Sequence, residues 1–452
     1  MKKQFNTQLR NLAGAGLLLL FITFSLDSKG TAITASASGN WSSTTTWIGG
    51  VVPVAGDDVT IGNNATVTVD VTNAACGTLI LGATGNMTGA LTFAASGSPA
   101  LTVATTFTLG AASGTGSGTL NMVTGATLTI GSFVVGTGGA GGSVGAGTVV
   151  LTGSFTMPAG AIPFYNLTIN SSGTVTFPGT STISGTLTLA KGTLAGGTAI
   201  TMAAGSAIVR SAGSMTGTIQ GSNSFTVTYT GNSMTAGPEL TGGTGVRSTV
   251  TVNLTAGQTL TLSANTTVTN LTVNSGSILA GSTYTLGVSG NLIENGTLSG
   301  TGAITLSGAA ATIDGAGTIS NTNTINITAA HAINATANLS VASKVAISNS
   351  ITVTNNGAIV STSATGITGG NAAATWVNAA SSSLSVDGPL LVTGTLTASA
   401  ATNTVTYTGA TGYIVKATTY SLPSSVSACG DLISLARFRK KCNAGREHLG
   451  RR

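Results

Sequence analysis

The sequence predicts an all-β protein that folds as a parallel, right-handed β-helix, or β-solenoid, with a capping segment at its N-terminus. Three observations lead to this fold class. Between residues 30 and 427 the chain carries only five basic and seven acidic residues. Apolar residues there alternate with Thr, Ser or Asn, which is the period of a β-strand. Similar strand phrases recur about every 20 residues, near the length of one β-helix coil.

The composition of the 452 residues excludes two other classes of protein. Hydrophobic residues make up 41% of the chain, which is too many for a disordered segment. Charged residues make up only 6%, whereas ordinary globular proteins carry about 25%. A long repetitive β structure, in which small side chains stack coil upon coil, accounts for both values.

The net charge of +6 comes from the two ends of the chain. Segment 1–29 holds four basic residues and one acid, and segment 428–452 holds seven basic residues and two acids. The part between them has five basic residues and seven acids, a balance of −2. Because a nucleic-acid partner needs a basic surface that neutralises phosphates, we expect no nucleic-acid binding.

The N-terminus has the pattern of a secretory signal peptide, which we assign to residues 1–32. A basic start is followed by an apolar stretch from Leu12 to Leu26 and by small residues, with cleavage sites after Ala32 or Ala37. The alternative is an uncleaved anchor helix, but a membrane span needs about 20 apolar residues. We therefore expect a secreted or cell-surface protein without a membrane span after cleavage.

The spacing of the strand phrases predicts the coils. Leu167 and Leu187 occupy matching positions in successive phrases, and similar phrases begin at Asn253, Asn270 and Asn291 at comparable intervals. If each phrase opens a new coil, the chain would form on the order of 19 coils.

The N-terminal half shows a comparable spacing. Leu79, Leu101 and Leu120 follow one another at nearly the same interval and are expected to stack on successive coils. An array of β-sandwiches is the alternative architecture, but its cores usually contain larger aromatic residues. Aromatic residues make up only 4% of this chain, which favours thin coils filled by aliphatic side chains.

One segment differs from the repeats and resembles a known family. Residues 39–70 contain Gly-Asn-Trp41, Thr-Trp47, a Gly-rich turn that leads to Pro53, and Gly-Asp57-Asp58 before a strand. This pattern is similar to the opening of the eight-glycine domain family. The resemblance implies an all-β domain of an extracellular protein, often placed ahead of β-helical repeats.

Two further phrases resemble repeats of large surface proteins from Bacteroidetes-type bacteria. They are Tyr165–Ile169 and Thr226–Gly231, and the second recurs identically at Thr404–Gly409. With the signal peptide, these patterns predict an eight-glycine-like domain with the first coils at 33–155 and a β-helical repeat region at 156–420.

The unusual residues of the first segment have two interpretations. Trp41 and Trp47 are placed to plug the first coil, since the end of a β-helix exposes an open core and unpaired strand edges. Asp57 and Asp58 follow Gly56, where carboxylates accept hydrogen bonds from turn N–H groups. The alternative is that the four residues form a sugar or calcium site.

The sequence offers little catalytic chemistry. Glu294 and Asp314 are separated by one predicted coil, so adjacent coils would bring them to about 5 Å, a separation that suits glycoside hydrolysis. The alternative is that they are two turn residues that do not face each other. His331 has no second His nearby, and Cys76 has no partner Cys in the repeats. We expect no enzyme activity, no metal site and no cofactor.

The last segment, 421–452, breaks the pattern. Seven basic residues occur between Arg437 and Arg452, and Cys429 and Cys442 also lie in this segment. A basic anchoring tail is one interpretation. A frameshift or a truncated reading frame explains the loss of the repeats more simply, so we expect an aberrant, disordered tail.

Together these observations predict an exported structural or adhesive β-helical stalk without catalytic activity. Its partners would be glycans or other cell-surface proteins. An extracellular carbohydrate-binding module is the first alternative. A polysaccharide-degrading β-helix enzyme that uses Glu294 and Asp314 is the second.

Overall fold

The computed structural model describes residues 30–420 except 83–85, 112, 137–139, 144, 159–162, 197–199, 221–222 and 410–413. Nearly all of the predicted signal peptide and the whole predicted aberrant tail lie outside the described residues. The chain divides into two compact units, Met1–Gly142 and Ser143–Arg452. Each unit is a parallel β-solenoid, so the predicted all-β fold class is confirmed.

The first unit stacks its strands in three columns. The first column holds β1 (Ala32–Thr34), β3 (Asp58–Ile61) and β6 (Thr78–Leu81). The second column holds β2 (Gly39–Asn40), β4 (Ala65–Val69), β7 (Gly89–Phe93) and β9 (Gly118–Asn121). The third column begins at β5 (Ala74–Cys76). The long strands β8 (Ala100–Leu109) and β10 (Thr127–Val135) bend from the third column into the first. Strand β11 (Ala140–Ser143) follows.

The second unit places its strands in sheets around a common core. The first sheet contains β12 (Thr148–Leu151), β13 (Phe155–Thr156), β14 (Asn166–Thr176), β16 (Thr186–Ala195), β18 (Ala207–Arg210), β19 (Ser214–Met215), β21 (Ser224–Gly231), β23 (Val246–Leu254), β26 (Asn270–Val273), β29 (Leu292–Glu294), β32 (Ala311–Asp314), β35 (His331–Ile333), β38 (Thr352–Asn355), β41 (Thr375–Asn378) and β43 (Thr395–Thr397).

The other sheets of this unit complete each coil. The second sheet contains β22 (Met234–Thr235), β24 (Thr259–Thr261), β27 (Ile278–Ala280), β30 (Thr297–Ser299), β33 (Thr318–Ile319), β36 (Asn338–Val341), β39 (Ala358–Ser361), β42 (Ser383–Val386) and β44 (Thr404–Tyr407). A short third sheet contains β15 (Ser181–Ile183), β17 (Ile200–Met202) and β20 (Ile219–Gln220). A fourth contains β25 (Thr266–Val268), β28 (Leu286–Val288), β31 (Ile304–Leu306), β34 (Ile325–Ile327), β37 (Val345–Ile347) and β40 (Ile367–Gly369).

The strand register tests the spacings that the sequence predicted. Leu167 pairs with Leu187, as predicted. The stacking of the Asn253 phrase on the Asn270 phrase is wrong, because Leu271 pairs with Val250, and Leu254 lies further along the same long strand. Leu271 does pair with Leu292, as predicted for the Asn270 and Asn291 phrases. The similarity of the Asn-Leu phrases therefore marks strands but fixes their register in only some of the coils.

The coils of the first unit are longer than the sequence predicted. Leu79 pairs with Phe107 instead of Leu101, and Leu101 pairs with Leu128 instead of Leu120. The described part of the chain forms about 16 turns, fewer than expected. Coils such as the one between Leu79 and Phe107 are longer than the sequence spacing predicted.

Inward-facing aliphatic side chains form the core of the second unit. In the first sheet one column of paired residues runs Leu167, Leu187, Ile208, Val227, Val250 and Leu271, and all six are buried. The residues between them along each strand point outward, since side chains alternate across a strand. Burial of these columns from water supplies the main driving force for stacking.

The identical phrases Thr226–Gly231 and Thr404–Gly409 occupy different sheets. The first begins within β21 of the first sheet, and the second begins at β44 of the second sheet. In both, the Val and the Tyr point into the core. The repeated phrase therefore encodes an inward–outward pattern and not a fixed position in the coil.

Helical structure is almost absent from the described part of the chain. It consists of a 3-10 turn at Thr44–Thr46 and one short helix, α1 (Pro238–Thr241). None of the described helices is long and apolar enough to cross a membrane.

Candidate functional site

The two tryptophans of the N-terminal segment form a buried pair. Trp41 is 1% exposed and Trp47 is 2% exposed. Their ring centroids lie 5.1 Å apart with an interplanar angle of 74°, an edge-to-face contact. The Trp47 indole Nε1 donates a hydrogen bond to the Trp41 carbonyl oxygen at 2.9 Å. Neither ring offers the open aromatic surface on which a sugar stacks.

The segment that carries these tryptophans also pairs with β1. The Ser36 N–H donates to the Thr46 carbonyl oxygen at 2.9 Å, and the Ile48 N–H donates to the Thr34 carbonyl oxygen at 2.9 Å. Ala35 and Trp47 form an antiparallel bridge, in contrast to the parallel pairs of the coils. The chain thus folds back over the side of β1 that does not pair with β3, which is the geometry expected of a cap.

The two aspartates of the segment have local partners. Asp57 Oδ1 accepts a hydrogen bond from the Thr31 N–H, and Oδ2 accepts one from the Val54 N–H, both at 2.9 Å. Asp58 Oδ1 accepts a hydrogen bond from the Thr78 hydroxyl at 2.7 Å. Among the described residues no group of three His, Cys, Asp or Glu side chains is placed to hold a metal ion. Both carboxylates therefore accept hydrogen bonds from groups of the chain itself.

Glu294 and Asp314 do not face each other, so the structure agrees with the interpretation that they are separate polar residues. In the register of β29 and β32, Asp314 pairs with Ile293, so the two carboxylates are one position out of step. Side chains alternate across a strand, and Glu294 therefore points into the core while Asp314 points outward. Asp314 accepts hydrogen bonds from Asn334, Thr336 and the Gly315 N–H. The geometry for glycoside hydrolysis is absent from this pair.

Glu294 lies fully buried, and neither of its carboxyl oxygens has a hydrogen-bond partner among the described residues. The Gly296 N–H lies near the carboxyl group and slightly favours the charged form of Glu294. Burial dominates and raises the pKa of Glu294 to about 8. The carboxyl is therefore mostly protonated at neutral pH, because a buried charge without a partner is costly.

A buried charged cluster, which the sequence analysis did not identify, lies beside α1. Arg210 Nη1 forms an ion pair with Glu239 Oε1 at 2.5 Å, and the Tyr229 hydroxyl donates to the same oxygen at 3.0 Å. Arg210 Nε and Nη1 also donate to the carbonyl oxygens of Gly213 and Thr235. All of the charged side chains in the cluster are buried.

Arg247 completes this cluster by holding the backbone around α1. Its guanidinium donates to the carbonyl oxygens of Glu239, Pro238, Gly242 and Gly245, and it lies over the Phe225 ring at 5.4 Å. Burial lowers the pKa of Arg247, and burial followed by the charge of Glu239 raises the pKa of Tyr229 well above its ordinary value. The cluster thus holds a neutral Tyr229 between charged neighbours.

The position of the cluster follows from the register. One inward column of the first sheet runs Ile169, Leu189, Arg210, Tyr229, Val252, Val273 and Glu294. Polar side chains therefore replace aliphatic ones at three positions of this column. Arg210 and Tyr229 belong to the cluster, and Glu294 lies further along. The rarity of charged residues could have revealed the cluster in the sequence, since three of the twelve charged residues between 30 and 427 belong to it.

A ladder of asparagines lies further along the core. Asn355 Nδ2 donates to Asn378 Oδ1 at 2.8 Å, and Asn378 Nδ2 donates to the Thr404 carbonyl oxygen at 2.9 Å. Both residues are fully buried and continue the column of Ile313 and Ile333. The ladder ties the first sheet to the second through side chains as well as through packing.

Two remaining polar residues have structural positions. His331 is buried in β35, and its Nδ1 lies 2.8 Å from the Ala329 carbonyl oxygen. Cys76 is buried, and burial together with Asp57 and Asp58 raises the pKa of its thiol to about 12. A thiol with such a pKa is unreactive at neutral pH.

No protein-family model matches the chain, and no curated protein or solved structure is significantly similar to it. The resemblance of residues 39–70 to the eight-glycine domain family, and that of the repeats to Bacteroidetes-type surface proteins, therefore stay predictions.

Proposed function

We propose that this chain is an exported bacterial cell-surface protein whose solenoid units serve a structural or adhesive role without catalysis. The observation that supports this function most directly is the parallel pairing of strands in each unit. Backbone hydrogen bonds and side-chain ladders join each coil to the next, and such stacks form extended surfaces. The signal-peptide pattern of residues 1–32 supports export.

The export part of the proposal has a direct test. Leu18→Arg places a charge in the apolar stretch of the predicted signal peptide and should abolish export, because the export machinery requires an uninterrupted apolar segment. Asn6→Arg adds the same charge to the basic start and should leave export intact. Cell-surface protein is measured by digesting intact cells with protease. Equal export of both variants, or native protein that stays inside the cells, would overturn the proposal.

One observation favours a carbohydrate-binding module as the second candidate. A cavity of about 450 Å³ lies beside β37 and β40, and its lining includes the neutral polar side chains of Thr328, Ser348, Asn349 and Thr368. Neutral hydroxyl and amide groups are suited to bind sugar hydroxyls.

A glycan array separates the two candidates. A purely structural role predicts no saturable binding by the full chain, and an adhesive role elsewhere on the surface predicts binding that Asn349→Ala leaves unchanged. A binding module at this cavity predicts saturable binding that Asn349→Ala weakens. Asn274→Ala, a change at a partly exposed asparagine in another coil, should leave that binding unchanged.

A further inference from the structure

A regular array of threonines covers part of the first sheet of the second unit. On β14, β16, β18, β21, β23 and β26, one outward column runs Thr168, Thr188, Val209, Thr228, Thr251 and Thr272, each paired directly with the next. Five of these six residues are Thr, and the sixth, Val, has nearly the same shape. We call this column and the one beside it the threonine face.

The second column of the threonine face lies two residues earlier on the strands. It runs Thr186, Ala207, Thr226, Thr249 and Asn270, again in direct register. Neighbouring strands lie about 4.8 Å apart, and residues i and i+2 of one strand lie roughly 6.7 Å apart. The array therefore has two fixed repeats at right angles to each other.

The hydroxyl groups of the threonine face are available to an external ligand. None of its eight threonine hydroxyls hydrogen-bonds to another described residue. Outward hydroxyls elsewhere differ, since Thr105, Ser132 and Ser248 donate to backbone carbonyl oxygens of adjacent coils. Thr side chains on a strand also have restricted χ1 rotation, so both hydroxyl and methyl groups occupy defined positions.

The chemistry of the threonine face identifies the kind of ligand. It carries no charged and no aromatic side chain. Phosphates and acidic polymers would need basic groups. A sugar polymer on a flat face, unlike a sugar enclosed in a cavity, would need aromatic rings on which to stack. A rigid array of hydroxyl and methyl groups instead orders the water above it, and the two repeats are close to the spacings of oxygen atoms on the prism faces of hexagonal ice.

We propose that the threonine face binds ice. Water held in register on the hydroxyl groups would merge with the ice lattice, and the methyl groups would fill the spaces between them. The pairing of the strands fixes the spacing of the threonine side chains, so no loop or helix is required to form the surface. This inference goes beyond the proposed structural role and does not depend on export.

The experiment uses the purified full chain and ice crystals in buffer. Thermal hysteresis and inhibition of ice recrystallisation are measured for the native protein and for Thr228→Tyr and Thr251→Tyr, each at the centre of the threonine face. A bulky ring there would hold the lattice away, so we expect loss of most of the activity. Thr261→Tyr, at an outward position of β24 on the second sheet, is the matched control and should retain it.

The outcomes are distinct. Loss of activity in the two array variants, with native circular dichroism and an active Thr261→Tyr control, supports the proposal. If a tyrosine variant fails to fold, Thr→Leu at the same position replaces it with the same expectation. Absence of ice activity in the native chain, or equal activity in all variants, would overturn the proposal. The native chain could instead bind a polysaccharide and have no effect on ice. If Tyr165→Ala then removed the polysaccharide binding, the edge of the array would be a sugar-binding surface, and this result would also overturn the proposal.

Discussion

Two buried glutamates of the second unit show how the environment of a single residue decides its charge. Glu239 accepts hydrogen bonds from Arg210, Tyr229 and the Gly237 N–H, so its carboxylate is compensated. Glu294 lies in the same kind of interior without such partners. A buried carboxyl group in that position keeps its proton instead. The same residue type therefore forms an ion pair in one coil and a neutral core residue in another.

The protonation of Glu294 predicts a pH dependence of stability. Its pKa is raised from 4.5 to about 8 on folding, so the unfolded chain loses the proton first as pH rises. The contribution of Glu294 to the free energy of unfolding is therefore fully present below about pH 4.5. It falls between about pH 4.5 and 8 and levels off at higher pH. The loss at pH 7 should be on the order of 3 kcal/mol.

Urea unfolding between about pH 4 and 9 measures this effect. Glu294→Leu should flatten the decline and raise the unfolding midpoint at pH 8. Asp314→Asn serves as the control. Desolvation opposes ionisation of Asp314, but hydrogen bonds from Asn334, the Gly315 N–H and Thr336 outweigh it and lower the pKa below 3.8, outside this range. An unchanged slope in Glu294→Leu would show that this carboxyl does not control the pH dependence.

At the scale of elements, α1 marks the place in the chain where one sheet of the second unit ends and another begins. The third sheet ends at β20, the fourth begins at β25, and α1 lies between them in the chain. Gly243, just after α1, approaches the Ile219 backbone so closely that a Cβ atom would meet the Ile219 carbonyl oxygen. Its φ of +81° is also a conformation that favours glycine. Arg247 and Glu239 hold this irregular turn in place.

A double-mutant cycle tests the role of the cluster. Arg210→Leu leaves Glu239 as a buried charge without its ion-pair partner and should destabilise the second unit by about 3–5 kcal/mol. Glu239→Leu should have a similar effect, and the double variant should be less destabilised than the sum of the two. Unfolding midpoints in urea give the coupling. Additive effects would mean that the ion pair does not act as a unit.

The N-terminal segment gives a second prediction at this scale. Replacing both Trp41 and Trp47 by Ala removes the buried pair and should destabilise the first unit by more than the roughly 3–5 kcal/mol expected for one such substitution. It should also uncover the edge of β1 and cause association, since an exposed strand edge pairs with other chains. Light scattering after size-exclusion chromatography detects this association.

Trp376→Ala is the matched control for the tryptophan variants. Trp376 is equally buried but lies in β41, which pairs with strands on both sides. This variant should lose stability without association. A double variant at Trp41 and Trp47 that stays monomeric and as stable as the native chain would refute the capping interpretation.

The elements also show what sequence reasoning can predict. The alternating phrases identified the strands, because an inward–outward pattern is local. The register was predicted only in part. Leu254 and Leu271 occur in similar phrases, but Leu254 lies at the end of its strand and Leu271 lies near the start of its own. The hypothesis that Glu294 and Asp314 face each other rested on their spacing alone. In the structure Asp314 pairs with Ile293, and a shift of one residue moves a side chain to the opposite side of the sheet. The Arg210 cluster depends on several coils at once and has no local pattern.

At the scale of the whole molecule, the scarcity of charge follows from stacking. Identical outward positions on adjacent coils lie about 4.8 Å apart, so a repeated charge would repel its neighbours. Thr, Ser and Asn avoid this repulsion and satisfy the backbone of the next coil, as Asn291 does for the Thr312 N–H. A chain of this kind resists deformation through many equivalent contacts, which supports a structural role.

Mechanical unfolding of single molecules tests this structural role most directly. Handles attached to cysteines introduced at the exposed positions Thr156 and Val392 would pull on the second unit after Cys429 and Cys442 are replaced by Ala, while the buried Cys76 stays unreactive. We predict resolvable force peaks with extension increments of roughly 70 Å or multiples of it, since one coil holds about 20 residues at roughly 3.5 Å each. Smooth extension without a force peak would contradict a structural role for the stacked coils.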